Sequence, residues 1–317
     1  MEQIKMTQKR VCITGGAGFI GSNLARRFVN DGWHVTVVDD LSNGRREFLP
    51  AIHRFLLNDF ACEEVINGIK NKNFDVVCHL AALPRVSYSV EHPMETHENN
   101  VTKTVKLLDA CRGNVRRFVN TSSSSVYGGA ETLPTPESYP HNPVSPYALH
   151  KSVSEQYCRV YSAVYGLDTV SVRPFNVFGP NQLGNSPYSL AVSSWLHAVK
   201  HGKPLRSDGD GTQSRDITYV TNVVDLFFRC ANHEGTFKGE AFNGGTGVRV
   251  TNNEVLEWFK KHYPDCEVIN APWRAGDVMH TQADISSAKE ILGYEPKIDF
   301  WRGLELTHSW AMNSSIF

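Results

Sequence analysis

The sequence predicts an α/β protein in which a doubly wound parallel sheet is joined to a smaller C-terminal α/β lobe. In the first half of the chain, short apolar runs rich in β-branched residues alternate with segments of helical spacing. After Phe175 the sequence changes to loops rich in Gly, Pro and Asn. Strands that alternate with helices are typical of βαβ units, which place parallel strands in one sheet and helices on its faces.

Five apolar runs are predicted to be buried parallel strands, because each is rich in β-branched residues and ends in Gly, Asp, Ala, Ser or Pro. They span residues 11–16, 34–40, 75–82, 117–125 and 168–174. Helices are predicted between them, where apolar residues recur at helical spacing. These helices span 19–31, 93–111 and 147–165.

The chain is expected to form two domains. Residues 1–175 are predicted to be a domain of Rossmann type that carries the doubly wound sheet, and residues 176–317 a smaller lobe. Helices within this lobe are predicted at 187–202, 222–232 and 251–262. Late segments of the lobe are expected to return to the sheet.

The composition argues against several functional classes. The 317 residues, 41% of them hydrophobic, can bury a large core, and a net charge of −1 gives no broad electrostatic case for nucleic-acid or membrane partners. The seven cysteines include no CxxC pair and the histidines no HExxH motif, so no metal site is expected. The polar N-terminal segment and the lack of a long apolar stretch favour the reducing cytoplasm.

The first predicted strand runs directly into TGGAGFIG, where Gly15, Gly18 and Gly21 are spaced three apart. Between a strand and a helix, such glycines permit a tight turn and a close backbone approach. The helix N-terminus can then offer its free N–H groups to a pyrophosphate. The motif therefore predicts a dinucleotide site.

Asp39 indicates which dinucleotide is bound. It ends the second predicted strand, at roughly the 20-residue distance at which a carboxylate accepts hydrogen bonds from the adenosine ribose. A carboxylate there would repel a 2′-phosphate, so the prediction is NAD rather than NADP. Arg45 and Arg46 are the counter-evidence, because either could serve a 2′-phosphate.

Tyr147 and Lys151 are the candidate acid–base pair. They are four residues apart in SPYALHK, and a helix places residues at this spacing on one face. A phenol has a pKa of about 10, but a nearby ammonium and the positive charge of a bound nicotinamide should favour the phenolate. Tyr147 could then act as a general base. Pro146 suits the first turn, where no N–H is needed.

Several motifs together resemble one family. TGGAGFIG, LNDF around Asp59, HLAAL around Ala81, SSSSVYG and YALHK follow one another in the order and spacing of the extended short-chain dehydrogenase/reductases. Within that family, the sequence is most similar to the nucleotide-sugar C4-epimerases related to UDP-galactose 4-epimerase. The resemblance covers nearly the whole chain, including VRPFNVFGP and GDGTQSRDITYV.

The resemblance implies NAD as the cofactor, bound by the domain 1–175, and a UDP-sugar as the substrate, bound by the lobe 176–317. The residues that it implies for NAD, with those argued above, are Gly15, Gly18, Phe19, Ile20, Gly21, Asp39, Asp40, Asn43, Gly44, Asp59, Phe60, Leu80, Ala81, Ala82, Asn99, Ser122, Tyr147, Lys151 and Pro174. Those that it implies for the UDP-sugar are Arg85, Ser123, Ser124, Tyr147, Asn176, Arg215, Arg274, Asp277 and Thr281.

The implied reaction is epimerisation at C4. Ser123 would hydrogen-bond the reacting hydroxyl while Tyr147 takes its proton and the C4 hydride passes to NAD; with Lys151 they form the catalytic set. The related 4,6-dehydratases carry an Asp–Glu pair where this chain has Ser124 and Ser125, and UDP-glucuronate decarboxylases usually carry an acid in this stretch. Both reactions are therefore disfavoured.

The identity of the sugar is left open. Thr281 occupies a wall position at which a small residue admits an N-acetyl group, so UDP-GlcNAc/UDP-GalNAc stands beside UDP-Glc/UDP-Gal. The SSSSVYG run also resembles UDP-glucuronate 4-epimerases. A net nucleotide-sugar oxidoreductase and a non-catalytic NAD-sensing protein are also compatible with the sequence. The family is commonly dimeric through the helices around 93–111 and 147–165, which implies a homodimer.

Overall fold

A computed structural model describes residues 8–184, 191–273 and 278–317 of the chain. Its strands are β1 (Arg10–Thr14), β2 (His34–Asp39), β3 (Arg54–Leu57), β4 (Val76–His79), β5 (Arg117–Thr121), β6 (Thr169–Pro174), β7 (Leu205–Asp208), β8 (Ser214–Arg215), β9 (Lys238–Gly244), β10 (Val250–Thr251) and β11 (Val268–Ala271).

The helices are interspersed with these strands and are numbered in chain order. They are α1 (Phe19–Asn30), α2 (Glu63–Lys70), α3 (Val86–Glu91), α4 (Pro93–His97), α5 (Lys103–Cys111), α6 (Pro146–Tyr165), α7 (Ala191–Lys200), α8 (Val220–Asn232), α9 (Asn252–His262), α10 (Ser286–Leu292) and α11 (Phe300–Asn313). Residues 187–190 of the predicted helix 187–202 lie outside the described part of the chain.

The central sheet has seven strands in the order β3-β2-β1-β4-β5-β6-β9, and every pairing is parallel. The predicted doubly wound α/β fold is confirmed. In the centre of the sheet, Thr14 of β1 lies opposite Val38 of β2 and His79 of β4. The carboxyl ends of these strands therefore meet at one edge, where ligands of such folds bind.

Helices cover both faces of the sheet. On one face α1 and α8 bury residues such as Leu24, Phe28 and Phe227, which belong to the same core as the second lobe. On the other face α2, α5 and α6 bury a second core that includes Ile69 and Leu107. Burial on both sides explains why the strand sequences are apolar throughout rather than alternating.

The smaller lobe contributes both to the sheet and to two short sheets of its own. Its strand β9 pairs with β6, so the late part of the chain does return to the central sheet. Strands β8 and β10 form an antiparallel pair, and β7 and β11 a parallel pair. Helix α9 begins with a capping box in which Thr251 and Glu254 satisfy each other's backbone N–H groups.

The structure differs from the sequence prediction at several elements, among them helices α2, α10 and α11, which the sequence pattern does not predict. The sequence pattern does not predict strand β3, because its four residues form a short edge strand with little apolar pattern. It does not predict helix α3 either. Strand β5 ends at Thr121 rather than at residue 125, because Ser123 caps the 3-10 turn Ser124–Tyr127. The predicted helix 93–111 is interrupted by a π-helical turn at Glu98–Thr102.

Candidate active site

The loop between β1 and α1 is a backbone cradle with no room for side chains. Gly15 has a φ of +67°, and a Cβ atom there would lie 2.7 Å from the backbone nitrogen of Ala81. A Cβ atom on Gly21 would lie 2.1 Å from the carbonyl oxygen of Gly15. The N-cap of α1 is Gly18, which has no side chain that could cap the helix. The N–H groups of the first turn can therefore face a ligand. These features fit a dinucleotide pyrophosphate.

Asp39 ends β2 and braces the glycine loop. Its carboxylate accepts hydrogen bonds from the backbone N–H groups of Ala17, at 2.9 Å, and Leu41, at 2.8 Å. Burial raises the pKa of Asp39, and these backbone hydrogen bonds oppose that rise. Gly44 approaches so closely that a Cβ atom there would lie 2.7 Å from a carboxylate oxygen of Asp39. The carboxylate is thus fixed in the wall of the cleft.

The two arginines that could serve a 2′-phosphate do not line the cleft. The guanidinium of Arg46 lies over the ring of Phe55 on β3, 5.1 Å from its centroid. Arg45 is bound through its backbone, whose N–H donates to the carbonyl of Ala17 at 2.9 Å. The described residues therefore fit NAD better than NADP.

Helix α6 begins where its sequence predicts and presents the Tyr–Lys pair to the cleft. The side chain of Ser145 accepts from the N–H of Ala148 as the N-cap, and Pro146 occupies the first turn. The ammonium of Lys151 donates to the carbonyl of Thr121 at 2.7 Å and lies 5.9 Å from the centroid of the Tyr147 ring. The end of β5 thereby fixes the lysine beside the phenol.

Burial shifts both members of this pair away from their charged forms. It raises the pKa of Tyr147 to about 12, against the lowering effect of a hydrogen bond from Ser123. It also lowers the pKa of Lys151 to about 8, against the charge of Glu155. In the cofactor-free protein desolvation outweighs these favourable effects, and the expectation that the ammonium and a bound nicotinamide together favour the phenolate stays a prediction. At neutral pH Tyr147 is protonated.

The serines at 122–125 follow β5 into the cleft, and their side chains contact different partners. Ser123 and Ser124 line the cleft beside Tyr147. Ser122 lines it as well, but its hydroxyl donates to the buried carboxylate of Glu155. The run is thus a turn whose side chains have different partners rather than the continuation of a strand.

The smaller lobe brings three predicted substrate residues to the same cleft. Segments 213–216 and 279–283 pair through backbone bonds, including the N–H of Asp216 to the carbonyl of Thr281 at 2.9 Å. The amide of Asn176, whose φ is +38°, donates to the hydroxyl of Thr281 at 3.3 Å. Arg215 donates to the carbonyl of Met279 at 3.1 Å. Predicted residues Arg274 and Asp277 lie outside the described residues.

Two predicted residues make contacts that differ from those expected. Arg85, predicted to bind substrate, donates to the side-chain oxygen of Asn43 at 2.8 Å, on the side of the cleft near Asp39. Asp59, predicted to bind the cofactor, forms an ion pair with Lys103 at 2.5 Å and does not line the cleft.

Apart from Asp59, the predicted site residues that the structure describes line one cleft of about 1010 Å³. From the cofactor set these are Gly15, Gly18, Phe19, Ile20, Gly21, Asp39, Asp40, Asn43, Gly44, Phe60, Leu80, Ala81, Ala82, Asn99, Ser122, Tyr147, Lys151 and Pro174. From the substrate set they are Arg85, Ser123, Ser124, Tyr147, Asn176, Arg215 and Thr281. A cleft of this volume is at the upper end of the range for sites that hold small molecules and cofactors.

The cleft also contains residues that sequence reasoning missed. Thr121 and Gln182 line it, and each has a buried side-chain oxygen without a hydrogen-bond partner among the described residues, which a ligand could satisfy. His280 lines it next to Thr281, with its Nδ1 2.8 Å from the hydroxyl of Ser214. Each of the three had a sequence signal nearby, because Thr121 precedes the serine run, Gln182 follows the VRPFNVFGP motif and His280 precedes Thr281.

Neither a metal cluster nor a membrane span is found in the part of the chain that the structure describes. Within the described ranges, no group of three or more His, Cys, Asp and Glu residues could hold a metal ion. Over the same residues, no helix is both long and apolar enough to span a membrane.

The parallel sheet, the glycine cradle and the cleft that they border fit an enzyme that binds a dinucleotide. Comparison with known proteins identifies the family more closely. Residues 11–245 match the NAD dependent epimerase/dehydratase family. A UDP-glucose 4-epimerase of Mycolicibacterium smegmatis is 36% identical, with 96% of this chain and 99% of that protein covered.

Further relatives extend the comparison. The solved structure of a UDP-N-acetylglucosamine 4-epimerase from Methanobrevibacter ruminantium, in complex with UDP-N-acetylmuramic acid, superimposes with a TM-score of 0.90 at 34% identity, covering 96% of this chain and 98% of that one. A UDP-N-acetyl-alpha-D-glucosaminuronate decarboxylase of Bacillus cytotoxicus is 29% identical over 96% of this chain and 98% of its own. The chain belongs to the NAD-dependent epimerase/dehydratase family.

Proposed function

We propose that this protein is an NAD-dependent 4-epimerase of a UDP-sugar. The observation that carries the proposal is that Ser123, Tyr147 and Lys151 share one cleft with the glycine cradle and with Asn176, Arg215 and Thr281 of the smaller lobe. A cofactor in the cradle and a sugar nucleotide held by that lobe would meet at Tyr147. In this proposal residues 1–175 bind NAD and 176–317 bind the nucleotide-sugar.

The chain's own contribution to the reaction is proton transfer and orientation. NAD held by the glycine cradle and Asp39 would supply reversible hydride transfer at C4 and a positive charge near the phenol. Tyr147 takes the proton of the 4-hydroxyl and gives it back to the epimeric oxygen. The ammonium of Lys151, which donates to the carbonyl of Thr121 at 2.7 Å, holds a positive charge near the reacting oxygen of the sugar. Ser123 hydrogen-bonds the same oxygen.

Epimerisation is favoured over dehydration and decarboxylation because of the groups next to Tyr147. Elimination of water needs an additional acid and base, and the two positions after Ser123 are serines. The carboxylate of Glu155, nearest beneath the serines, is bound to Arg173 and buried at 1% exposure. It is not available to a substrate. Because the family includes a decarboxylase, product analysis should also test for loss of carbon dioxide.

The substrate is proposed to be UDP-Glc/UDP-Gal or UDP-GlcNAc/UDP-GalNAc. Thr281 is a small residue in the cleft wall, hydrogen-bonded to Asn176, and leaves space for a substituent at C2 of a sugar. UDP-glucuronate is the second candidate. The described lining of the cleft carries Lys151, Arg85 and Arg215, and its carboxylates are those of Asp39 and Asp40 at the carboxyl end of β2, a distribution that suits an anionic sugar.

We further propose that the protein is a homodimer. Exposed apolar side chains lie on α3, α4 and α6. Val90 of α3 is 61% exposed and Met94 of α4 is 79% exposed, while Leu149 and Val164 of α6 are 49% and 65% exposed. An apolar face of this extent is typical of an interface. We expect Val164→Glu to convert the dimer to a monomer in light scattering, while Leu57→Glu on the edge strand β3 does not. A wild-type monomer at micromolar concentration would refute the proposal.

A reducing compartment is also proposed, because all seven cysteines are free. Five of them are buried in the cores, where they act as small apolar residues. Cytoplasmic fractionation of the tagged full chain would test this location.

The experiment that tests the function supplies UDP-Glc, UDP-GlcNAc and UDP-GlcA separately to the purified protein. The anomeric NMR signals report the C4 epimer, and the NADH absorbance reports net reduction. We expect the epimer of one sugar to appear without net NADH. Accumulation of NADH in proportion to product would instead establish a net oxidoreductase.

Tyr147→Phe is the matched variant for this assay. It removes the phenolic oxygen and leaves the ring, so we expect loss of most epimerisation with NAD binding retained. Near wild-type turnover by this variant would refute Tyr147 as the base. Failure of every sugar to react with the wild type, although NAD binds, would favour a non-catalytic NAD-sensing protein.

A further inference from the structure

Ser125 is a cleft residue to which the proposed reaction gives no task. It lies in the 3-10 turn Ser124–Tyr127 and lines the cleft. Its hydroxyl donates a hydrogen bond to Oγ of Ser123 at 2.9 Å. Its backbone N–H donates to the same oxygen at 3.2 Å. Two donors of one residue therefore converge on the hydroxyl oxygen of Ser123.

This convergence determines what Ser123 can do. A serine hydroxyl has two lone pairs and one proton. Because both lone pairs of Ser123 already accept from Ser125, the remaining hydrogen bond is the one that its own proton makes. Ser123 is consequently a donor toward the cleft and not an acceptor.

The chemical consequence is a division of labour between Ser123 and Tyr147. A serine hydroxyl that is free to rotate could accept a hydrogen bond from the sugar hydroxyl and so direct its proton away from the phenol. A serine that can only donate leaves that proton to Tyr147. Its donated hydrogen bond also strengthens as the sugar oxygen gains negative charge, which stabilises the transition state more than the bound substrate.

The turn that carries Ser125 is rigid. Its carbonyl accepts from the N–H of Gly128 at 3.2 Å, which closes the turn. Gly128 has a φ of +61°, and a Cβ atom there would lie 1.7 Å from the carbonyl oxygen of Asn142. The hydroxyl of Tyr127 donates to the side chain of buried Asn243 at 2.7 Å. A fixed backbone holds the two donors in place before substrate arrives.

We propose that Ser125 is a positioning residue that fixes Ser123 as a hydrogen-bond donor to the reacting oxygen and leaves Tyr147 to accept the proton. This inference rests on the proposed 4-epimerase function. In the protein without substrate, the proton of Ser123 is instead donated to Tyr147, which lowers the pKa of that phenol. Ser125 thereby acts on the base through Ser123, without touching the sugar.

The test compares Ser125→Ala, which keeps only the backbone donor, with Ser125→Thr, which restores a hydroxyl. For Ser125→Ala we expect kcat to fall about tenfold, the effect of one hydrogen bond, with KM changed less than about twofold. The acidic limb of the kcat profile should move to higher pH, because a rotating Ser123 stabilises the phenolate less. Ser125→Thr should recover most of both effects. Ser309→Ala, on the exposed face of α11, is the matched control and should behave as wild type.

A binding measurement separates positioning from substrate contact. In the inactive Tyr147→Phe background, calorimetry with the UDP-sugar that the wild type converts should give the same Kd with and without Ser125→Ala. Tenfold weaker binding, or an unmoved pH limb in the single variant, would overturn the proposal. If the wild type converts no UDP-sugar, the proposed function fails, a result distinct from an unaltered Ser125→Ala enzyme.

Discussion

Glu155 provides a test of how the catalytic helix is held, because its charge is entirely buried. The carboxylate accepts from Nη2 of Arg173 at 2.6 Å, from Nε of Arg173 at 2.9 Å, and from the hydroxyl of Ser122. Glu155 is 1% and Arg173 0% exposed, so neither charge reaches water. Glu155 also lies one helical turn after Lys151, whose ammonium its charge favours.

Glu155→Gln keeps the shape of the side chain and removes its charge. Breaking one member of a buried ion pair costs about 3–5 kcal/mol. Glutamine retains one acceptor for the guanidinium, so we expect the free energy of unfolding in denaturant to fall by about 3 kcal/mol. The NAD-loaded enzyme should also lose activity at lower pH than the wild type. Burial lowers the pKa of Lys151 to about 8, Glu155 opposes that fall, and the lysine is charged only below its pKa.

An exposed pair of the same chemistry is the control for this prediction. Glu305 pairs with Arg302 on α11, with side chains 58% and 59% exposed. Glu305→Gln should change the free energy of unfolding by less than about 1 kcal/mol. If Glu155→Gln costs no more than Glu305→Gln, the buried pair is not what holds α6 to β6. An unchanged alkaline limb would refute the electrostatic coupling to Lys151.

Three further substitutions address the cradle, the ribose acceptor and the sugar wall. Gly21→Ala should lower the free energy of unfolding by about 1–3 kcal/mol and abolish NAD binding in calorimetry, because its Cβ would meet the carbonyl of Gly15 at 2.1 Å; wild-type NAD affinity would contradict the close approach. Asp39→Ala should weaken NAD binding about 10–100-fold through lost ribose hydrogen bonds, an effect that NADP binding, measured in parallel, should not show. Thr281→Tyr should reduce turnover of an N-acetylated UDP-sugar at least about tenfold more than that of UDP-Glc, and equal losses would argue against Thr281 as the wall.

Local sequence rules predicted the elements that lie inside the sheet. The glycine loop, the cap and proline at the start of α6, and the central strands follow from patterns a few residues long. Strand β3 and the π-helical turn at Glu98–Thr102 could not be found in that way. Within that turn, buried Asn100 uses its side chain to bind both backbone groups of Leu83, a contact between two segments that a local pattern does not connect.

The candidate site shows the same division between local and distant causes. The order of Ser123, Tyr147 and Lys151 in motifs was enough to predict that they meet. The placement of Arg85 against Asn43, and the ion pair between Asp59 and Lys103, depend on which loops face each other across the cleft. The pKa of Tyr147 depends on burial, which a helical spacing of four residues does not reveal.

Burial gives the Tyr–Lys pair two properties that at first oppose each other. It raises the pKa of Tyr147 to about 12, so the resting phenol is a poor base at neutral pH. The same exclusion of water weakens screening, so a positive charge brought into the cleft acts on the phenol more strongly than it would in solvent. Lys151 supplies part of that charge, but its own pKa of about 8 limits how much it supplies alone. In the proposed reaction, Tyr147 would therefore act as a base only when a cationic ligand lies beside it.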